Sequence, residues 1–352
     1  MKVLVRNPGA TSTKISIFEE ENEVFKTNLV HHAADLAPYA HVIDQGPFRK
    51  QLILETVEKA GYQMTDFDAV CGRGGLLRHI PSGTYAVSDQ AIADVLDPPY
   101  GEHASNLGVL LARELGDMAG IPSFFVDPVC VDEMTPVAHV TGFKGMERES
   151  FFHALNQKSI ARKAAKLLGK TYEEARLIVI HMGGGVSVAA HENGLAVDDF
   201  NVKDEGAFGM DRAGSLPVNA MINLCFSGLT KQEVKKLLGS EAGAYSYVGT
   251  KDFREVERRA FEENDPDCRM VFDAMAYQLA KDIGAMAAVL KFQVDAIVYT
   301  GGMAYSDRFT QAITDYVGNL APVLRLPGEE EMRSLAEGAL RVLHGEQAKV
   351  YP

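Results

Sequence analysis

The sequence predicts an α/β protein built from two copies of one domain, and three observations carry that prediction. Its 352 residues exceed what one ordinary core holds and suit two domains of about 150 to 200 residues each. A pattern of strand, glycine turn, strand, polar turn and strand opens the chain and returns half a chain length later. Each copy is followed by short apolar runs alternating with helical periods, the mark of mixed sheets flanked by helices.

In the first copy, Val3 to Arg6 reads as a strand, Asn7-Pro8-Gly9 as a turn, Thr13 to Phe18 as a strand, and Glu19 to Asn22 as a second turn before the strand Glu23 to Thr27. Phe48, Leu52, Thr56 and Val57 then mark a helix, Ala69 to Cys71 a short strand, Asn106 to Ala119 a helix and Ser123 to Val126 a strand. In the second copy the strands are Ile178 to Ile180, Ser187 to Ala190 and Leu195 to Asp198. The run from His181 to Gly185 and the segment His191-Glu192-Asn193-Gly194 are their turns. Thr230-x-x-Glu233 and Asp252-x-x-Glu255 read as capping-box helix starts, and residues 267 to 292 as a long, largely apolar and therefore buried helix. Asp295 to Thr300 is a strand ending in Gly301-Gly302. A last strand, Val323 to Leu326, turns at Pro327-Gly328 into the helix Glu330 to His344. The expected division is residues 1–152 and 153–329, with packing of residues 330–352 back onto the first domain left open.

Composition narrows the class. Hydrophobic residues at 46% and charged residues at 24% describe a globular protein, and no apolar run approaches the ~20 residues of a membrane helix. Arg6 interrupts the first apolar stretch, so no signal-peptide core is read and a cytoplasmic location is expected. The formal charge of −13 and the lack of any Lys/Arg run argue against a nucleic-acid partner. An acidic protein that handles phosphate must place its cations locally. The four cysteines, at 71, 130, 225 and 268, form no CxxC pair and no zinc spacing with His, so they read as reduced thiols.

Against that background the glycine turns stand out. The segment from Asn7 to Lys14 places Gly9, Thr11, Ser12 and Lys14 between two strands: close backbone approach, hydroxyls and one cation, the parts of a phosphate cradle. It is no Walker A loop, since GxxxxGK[ST] is absent and a strand follows it. A solvated polar hairpin is the alternative. Gly183, Gly184 and Gly185 after a buried strand would cost backbone entropy unless something must approach closely. His181 before them is a phosphate contact or merely a strand-end residue. Gly301-Gly302 ends a buried strand where α/β folds often hold a ligand, and fits a third contact, against adenosine.

Arg73, between Gly72 and Gly74-Gly75, and Arg212, in Met210-Asp211-Arg212-Ala213-Gly214, are cations in tight turns able to grip carboxylate or phosphate bidentately. Asp127 and Glu330 are candidate Mg²⁺ ligands through water. Their alternatives are a loop cap and a dipole-favoured helix start. His153 is a ligand-facing donor or a satisfied, half-buried histidine.

In the same order along the chain, Asn7 to Lys14, Arg73, Asp127, His153, the His181-x-Gly-x-Gly-x-Ser187 segment and Gly301-Gly302 resemble the acetate kinase and butyrate kinase family. The resemblance runs nearly the whole length. Gly72 to Leu77 and His153 to Lys158 look like the butyrate branch, as does a chain shorter than a typical acetate kinase. The resemblance implies two duplicated actin-like, ribonuclease H-like domains closing on a nucleotide cleft. It further implies ATP/ADP and Mg²⁺ as cofactors, a short-chain fatty acid or its acyl phosphate as substrate, and a homo-oligomer. By the same resemblance Arg73 and Arg212 flank the acyl carboxylate and γ-phosphate. Asn7, Asp127 and Glu330 hold Mg²⁺, His153 and His181 contact the transferring phosphoryl, and the glycines bind nucleotide. Two departures stand out. Ala10 replaces a usual Ser, and the match around Arg212 is looser. A dehydrogenase of the Rossmann type is disfavoured because GxGxxG is absent, and a non-catalytic nucleotide switch because the chain has no room for a partner-binding domain.

Overall fold

The computed structural model describes residues 1–352 and divides them into two compact units. The first comprises Met1–Asp132, Ala154–Asn156 and Glu330–Pro352, the second Glu133–His153 and Gln157–Glu329. Residues 133–152, expected in the first domain, thus cluster with the second.

The first unit opens with β1 (Lys2–Pro8), β2 (Ser12–Glu19) and β3 (Asn22–Val30), an antiparallel meander. A four-residue helix α1 (Ala33–Leu36), α2 (Gly46–Lys59), β4 (Ala69–Arg73), β5 (Thr84–Ala86), α3 (Asp89–Leu96), α4 (Asn106–Ala119) and β6 (Ser123–Val126) follow. The sheet order is β3-β2-β1-β4-β6-β5, with β1, β4 and β6 parallel. Leu4, Ile15, Ile17 and Val70 meet Ile53 and Val57 of α2 and Leu107, Leu111 and Leu115 of α4 on one face. The opposite face is covered by the helix Glu331–Leu343, whose Met332, Leu335, Ala336, Ala339 and Leu340 recur at helical spacing and pack on Val3, Val5, Cys71 and Val126. The tail beyond that helix runs beside edge strand β5, where the Lys349 amide donates to Thr84 O and Lys349 O accepts from the Ala86 amide. Tyr351 Oη then reaches Asp94 at 2.7 Å.

The second unit contains all but the first turn of α5 (Ala154–Leu167). Its meander is β7 (Leu177–Met182), β8 (Val186–Glu192) and β9 (Leu195–Phe200). Helices α6 (Val218–Cys225), α7 (Lys231–Ser240), α8 (Gly243–Val248), α9 (Phe253–Phe261) and α10 (Pro266–Val289) precede β10 (Ala296–Thr300), α11 (Asp307–Val317) and β11 (Val323–Arg325). The order β11-β10-β7-β8-β9 reproduces β6-β4-β1-β2-β3, with parallel pairing of β7, β10 and β11 beside the antiparallel meander. Every residue of β7 is buried, as a strand covered on both faces requires. Ile178, Ile180 and Met182 face α10, and Leu177 and Val179 face α5. Helix α10 starts with Asp265 accepting two amides and Pro266 at its first position. Thr230 and Glu233 form the expected capping box on α7. At α9, Asp252 caps the Arg254 amide while Glu255 turns to Thr250. The last helix, α12 (Glu331–Leu343), is the one that returns to the first unit.

Candidate functional site

The first-unit hairpin is built on a residue the sequence reading passed over. Arg49 sits in the buried stripe of α2 with Ile53 and Val57 and is fully buried. Its Nη1 donates to Gly9 O at 2.9 Å, Ser12 O at 3.0 Å and Thr13 Oγ1 at 3.1 Å, and its Nη2 to Ala10 O at 3.2 Å. Gln45 accepts the remaining edge through Oε1. Burial pulls the Arg49 guanidinium down to about 10, which still leaves it charged at neutral pH. The turn closes with the Gly9 amide on Ser12 O, and Asn7 faces Lys14 across the ladder. The signal in the sequence was a lone cation on an apolar helical stripe, which must find acceptors.

Arg73 ends β4 and pairs through Nη1 with Glu331 Oε1 at 2.7 Å; the other oxygen of Glu331 accepts from Asn7 Nδ2. These three residues therefore form one cluster. Glu330 is the half-exposed N-cap of α12, its carbonyl accepting from Ser334. The carboxylate that turns toward Asn7 and Arg73 belongs to Glu331, which is buried. The glycines beside Arg73 serve packing: a Cβ on Gly72 would sit 2.1 Å from Gly108 O, so β4 and α4 touch backbone to backbone. Asp127 is buried at the end of β6 with φ +38°, a conformation that costs a non-glycine residue about 1 kcal/mol or more. Its Oδ1 accepts from the Gly83 amide at 2.6 Å.

The oxygen donors that the first unit offers a metal are the Asn7 amide and the carboxylates of Asp127, Glu330 and Glu331, of which Asn7 and Glu331 are in contact. No group of three His, Cys, Asp or Glu side chains forms a cage. A hard-oxygen set of this size fits Mg²⁺, which keeps waters and phosphate oxygens in its shell and needs only one or two carboxylates.

In the second unit, His181 is the penultimate residue of β7 and almost fully buried, its ring stacked on that of His153 at 3.8 Å and 13°. His181 Nε2 lies 3.4 Å from Glu329 Oε1, and His153 caps the start of α5 with Nδ1 2.8 Å from Ser187 Oγ. The turn from Gly183 to Gly185 joins β7 to β8, tied by the Gly183 amide on Gly185 O. Arg212 lies against it: a Cβ on Gly185 would be 3.0 Å from Arg212 Nη1, which reaches Val202 O at 3.4 Å. Gly301 adopts φ +85°, and a Cβ there would be 2.4 Å from Met182 O, so only glycine lets β10 end this close to β7.

These two glycine segments converge. Gly183, Gly184 and Gly302 line one pocket of about 880 Å³ together with Met210, Phe253 and Met303. Lys251, Arg254, Asp252, Glu257 and Tyr305 also line it, with Arg254 paired to Asp252 at 2.7 Å. A pocket with apolar walls and bare backbone at the glycine end has the chemistry of a nucleotide site: a flat base against Met and Phe, phosphates toward peptide N–H groups. The lysine, arginine and aromatic contributors lie in loops and helix starts with no motif of their own, which is why sequence spacing did not pick them out.

No helix is long and apolar enough to cross a membrane. The fold is shared with crystal structures of Porphyromonas gingivalis acetate kinase (21% identity, 97% of this chain and 99% of that one, TM-score 0.79) and of an acetate kinase from Entamoeba histolytica (16%, 97% and 99%, 0.76). It is shared also with a propionate kinase from Francisella tularensis subsp. tularensis (17%, 96% and 98%, 0.74). These likenesses establish the two-domain actin-like architecture, two mixed sheets flanked by helices. The acetokinase family model matches residues 143–323, just over half of the chain, including His153, His181, the glycine turn, Arg212 and Gly301-Gly302. The chain belongs to the acetokinase family, phosphotransferases whose acceptor is a carboxylate.

Proposed function

We propose that the protein is a butyrate kinase, reversibly transferring the γ-phosphoryl group of ATP to the carboxylate of butyrate to give butyryl phosphate and ADP. The observation that carries nucleotide use is the pocket on which Gly183-Gly184 and Gly302 converge. Support for butyrate comes from the segments Gly72 to Leu77 and His153 to Lys158.

A short-chain fatty acid has a pKa close to that of Asp or Glu, about 4, so its carboxylate is ionised at pH 7 and no general base is needed. The barrier lies in bringing one anion against another, and alignment with charge neutralisation must lower it. In this reading Arg73 and Arg212 neutralise the acyl carboxylate and the γ-phosphate. His153 and His181 donate to the equatorial phosphoryl oxygens. The Asn7 to Lys14 hairpin, Gly183 to Gly185 and Gly301-Gly302 hold the nucleotide. Asn7 and Asp127, with a carboxylate from the Glu330-Glu331 helix start, would hold Mg²⁺ directly or through water. When bound, Mg²⁺ offsets the negative charge of the phosphates.

Two methylenes separate acetate from butyrate, worth about 1.6 kcal/mol at ~0.8 each, roughly fifteenfold in kcat/KM. The second reading is an acetate or propionate kinase, favoured by the names of the structural relatives. Trapping the acyl phosphate with hydroxylamine, using acetate, propionate, butyrate, isobutyrate and isovalerate with MgATP, decides between them. Butyrate should give the highest kcat/KM. A maximum at acetate or propionate establishes the second reading, a maximum at a branched acid a branched-chain kinase, and no product from any of the five refutes carboxylate phosphorylation.

A further inference from the structure

On the face of the second sheet covered by α5, polar side chains replace the apolar ones in a continuous line. Tyr172 Oη lies 2.7 Å from His191 Nδ1, and His191 Nε2 lies 3.1 Å from Gln157 Oε1. Gln157 Nε2 lies 3.1 Å from Ser187 O and 2.8 Å from Ser187 Oγ, and Ser187 Oγ lies 2.8 Å from His153 Nδ1. His191, Gln157 and Ser187 are all buried. Ser187 faces His181 across the β7–β8 ladder.

The proton positions along this line follow from one fixed point. The Ser187 carbonyl can only accept, so the Gln157 group facing it is the NH₂ and the group facing His191 is the carbonyl. A carbonyl can only accept, so His191 carries its proton on Nε2, and Nδ1 accepts from the Tyr172 hydroxyl. His191 stays neutral because burial, reinforced by Lys158, drives its pKa down to about 3. At the other end, Ser187 Oγ accepts from Gln157 Nε2 and from the His153 backbone amide at 3.3 Å, which occupies both lone pairs. Its hydroxyl proton must therefore point to His153 Nδ1, which accepts it.

We propose that Gln157, Ser187 and His191 are positioning residues that lock His153 in the neutral tautomer with its proton on Nε2. His153 then has a single proton to give, and gives it from the ring edge opposite Ser187. The catalytic consequence rests on the proposed phosphoryl contact of His153; the tautomer does not.

The test uses full-length protein labelled with ¹⁵N-histidine, with long-range ¹H–¹⁵N correlations read at neutral pH and His153 identified by its loss in His153→Gln. The expected spectrum shows His153 Nδ1 unprotonated and Nε2 protonated; a protonated Nδ1 in the unsubstituted protein overturns the proposal. Gln157→Glu inverts the relay: a carboxylate accepts the Ser187 proton, freeing Ser187 Oγ to accept from His153 Nδ1–H. His153 should then change tautomer or become imidazolium, and kcat should fall about a hundredfold, the usual loss for one aimed donor, with KM for ATP within about twofold. Ser187→Ala, which removes the connecting atom, should abolish most of the further effect of Gln157→Glu in the double variant. Additive losses, or an unchanged His153 spectrum in Gln157→Glu with its thermal melt intact, overturn the relay. Should no acid be phosphorylated, the function fails while the spectra still decide the tautomer.

Discussion

Replacing Arg49 with Lys keeps a cation under the β1–β2 hairpin and removes its fork. Arg49 bonds four acceptors in the hairpin, Gly9 O, Ala10 O, Ser12 O and Thr13 Oγ1, and also Gln45 Oε1. An ammonium has three donors, so at least two of these five acceptors lose a charge-assisted hydrogen bond worth about 1.5 to 3 kcal/mol each. The expected loss is therefore about 3 to 6 kcal/mol, concentrated locally. The two-unit chain is unsuited to a single unfolding free energy, so amide hydrogen exchange is the assay. The amides of Gly9 and His31, which close the hairpin on Ser12 O and Thr11 O, should exchange at least a hundredfold faster. In the proposed function, KM for ATP rises in step. Protection of these two amides within a factor of two of the unsubstituted protein would refute the assignment of Arg49 as the support of the hairpin.

Arg73→Ala should lower kcat/KM by several kcal/mol equivalents in the barrier, at least a thousandfold, because it removes the guanidinium and leaves the buried Glu331 carboxylate with Asn7 but no cation. Steady-state kinetics beside a circular dichroism melt separate the two effects, and turnover within tenfold of normal removes Arg73 from the mechanism. Gly72→Ala places a methyl 2.1 Å from Gly108 O, a backbone clash that must push β4 from α4 at about 1 to 3 kcal/mol, read as a lower midpoint of thermal unfolding. The buried His191 sets an acid limit. Its folded pKa of about 3 lies below its unfolded value of 6.5, so the folded state binds fewer protons, and stability present above pH 6.5 is lost as pH falls toward 3. At ~1.36 kcal/mol per pH unit the ceiling is about 5 kcal/mol. Melting temperatures from pH 7 to 4 should fall less steeply in His191→Gln, and identical slopes would exclude this source.

The sheets were legible because each strand is a short apolar run between turn residues. Asn106–Ala119 and Ser123–Val126 appear with the expected bounds, and the meander strands extend only a few residues beyond theirs. Glu331 was within reach too. It stands four and eight residues before Leu335 and Ala339, on the buried face of α12, whereas Glu330 lies off that face; helix phase separates two neighbours that composition treats alike. Gly72 was not within reach, since its close partner Gly108 lies on another element and nothing local distinguishes a packing glycine from a ligand-facing one. Gln157 and His191 escaped for a similar reason: a buried polar line is visible only when helix α5 and strand β8, which contribute to it, are side by side. The charge of Arg73 identified it as a candidate grip, but its neighbour Glu331 comes from the far end of the chain.

The helix Glu331–Leu343, which covers one face of the first sheet, has a consequence for how the molecule is made. Met332, Leu335, Ala336, Ala339 and Leu340 complete the core around Val3, Val5 and Cys71, and Lys349 lines the edge of β5. On a ribosome the first unit therefore stays incomplete after Asp132 has emerged, for the roughly 10 to 40 s needed to add the next two hundred residues at 5 to 20 per second. The usual N-terminal-first order of domain folding is reversed: the second unit can close before the first, which must wait for the helix Glu331–Leu343 to be made. Until then β1, β4 and β6 present an uncovered apolar face, the stage at which a chaperone has most to hold.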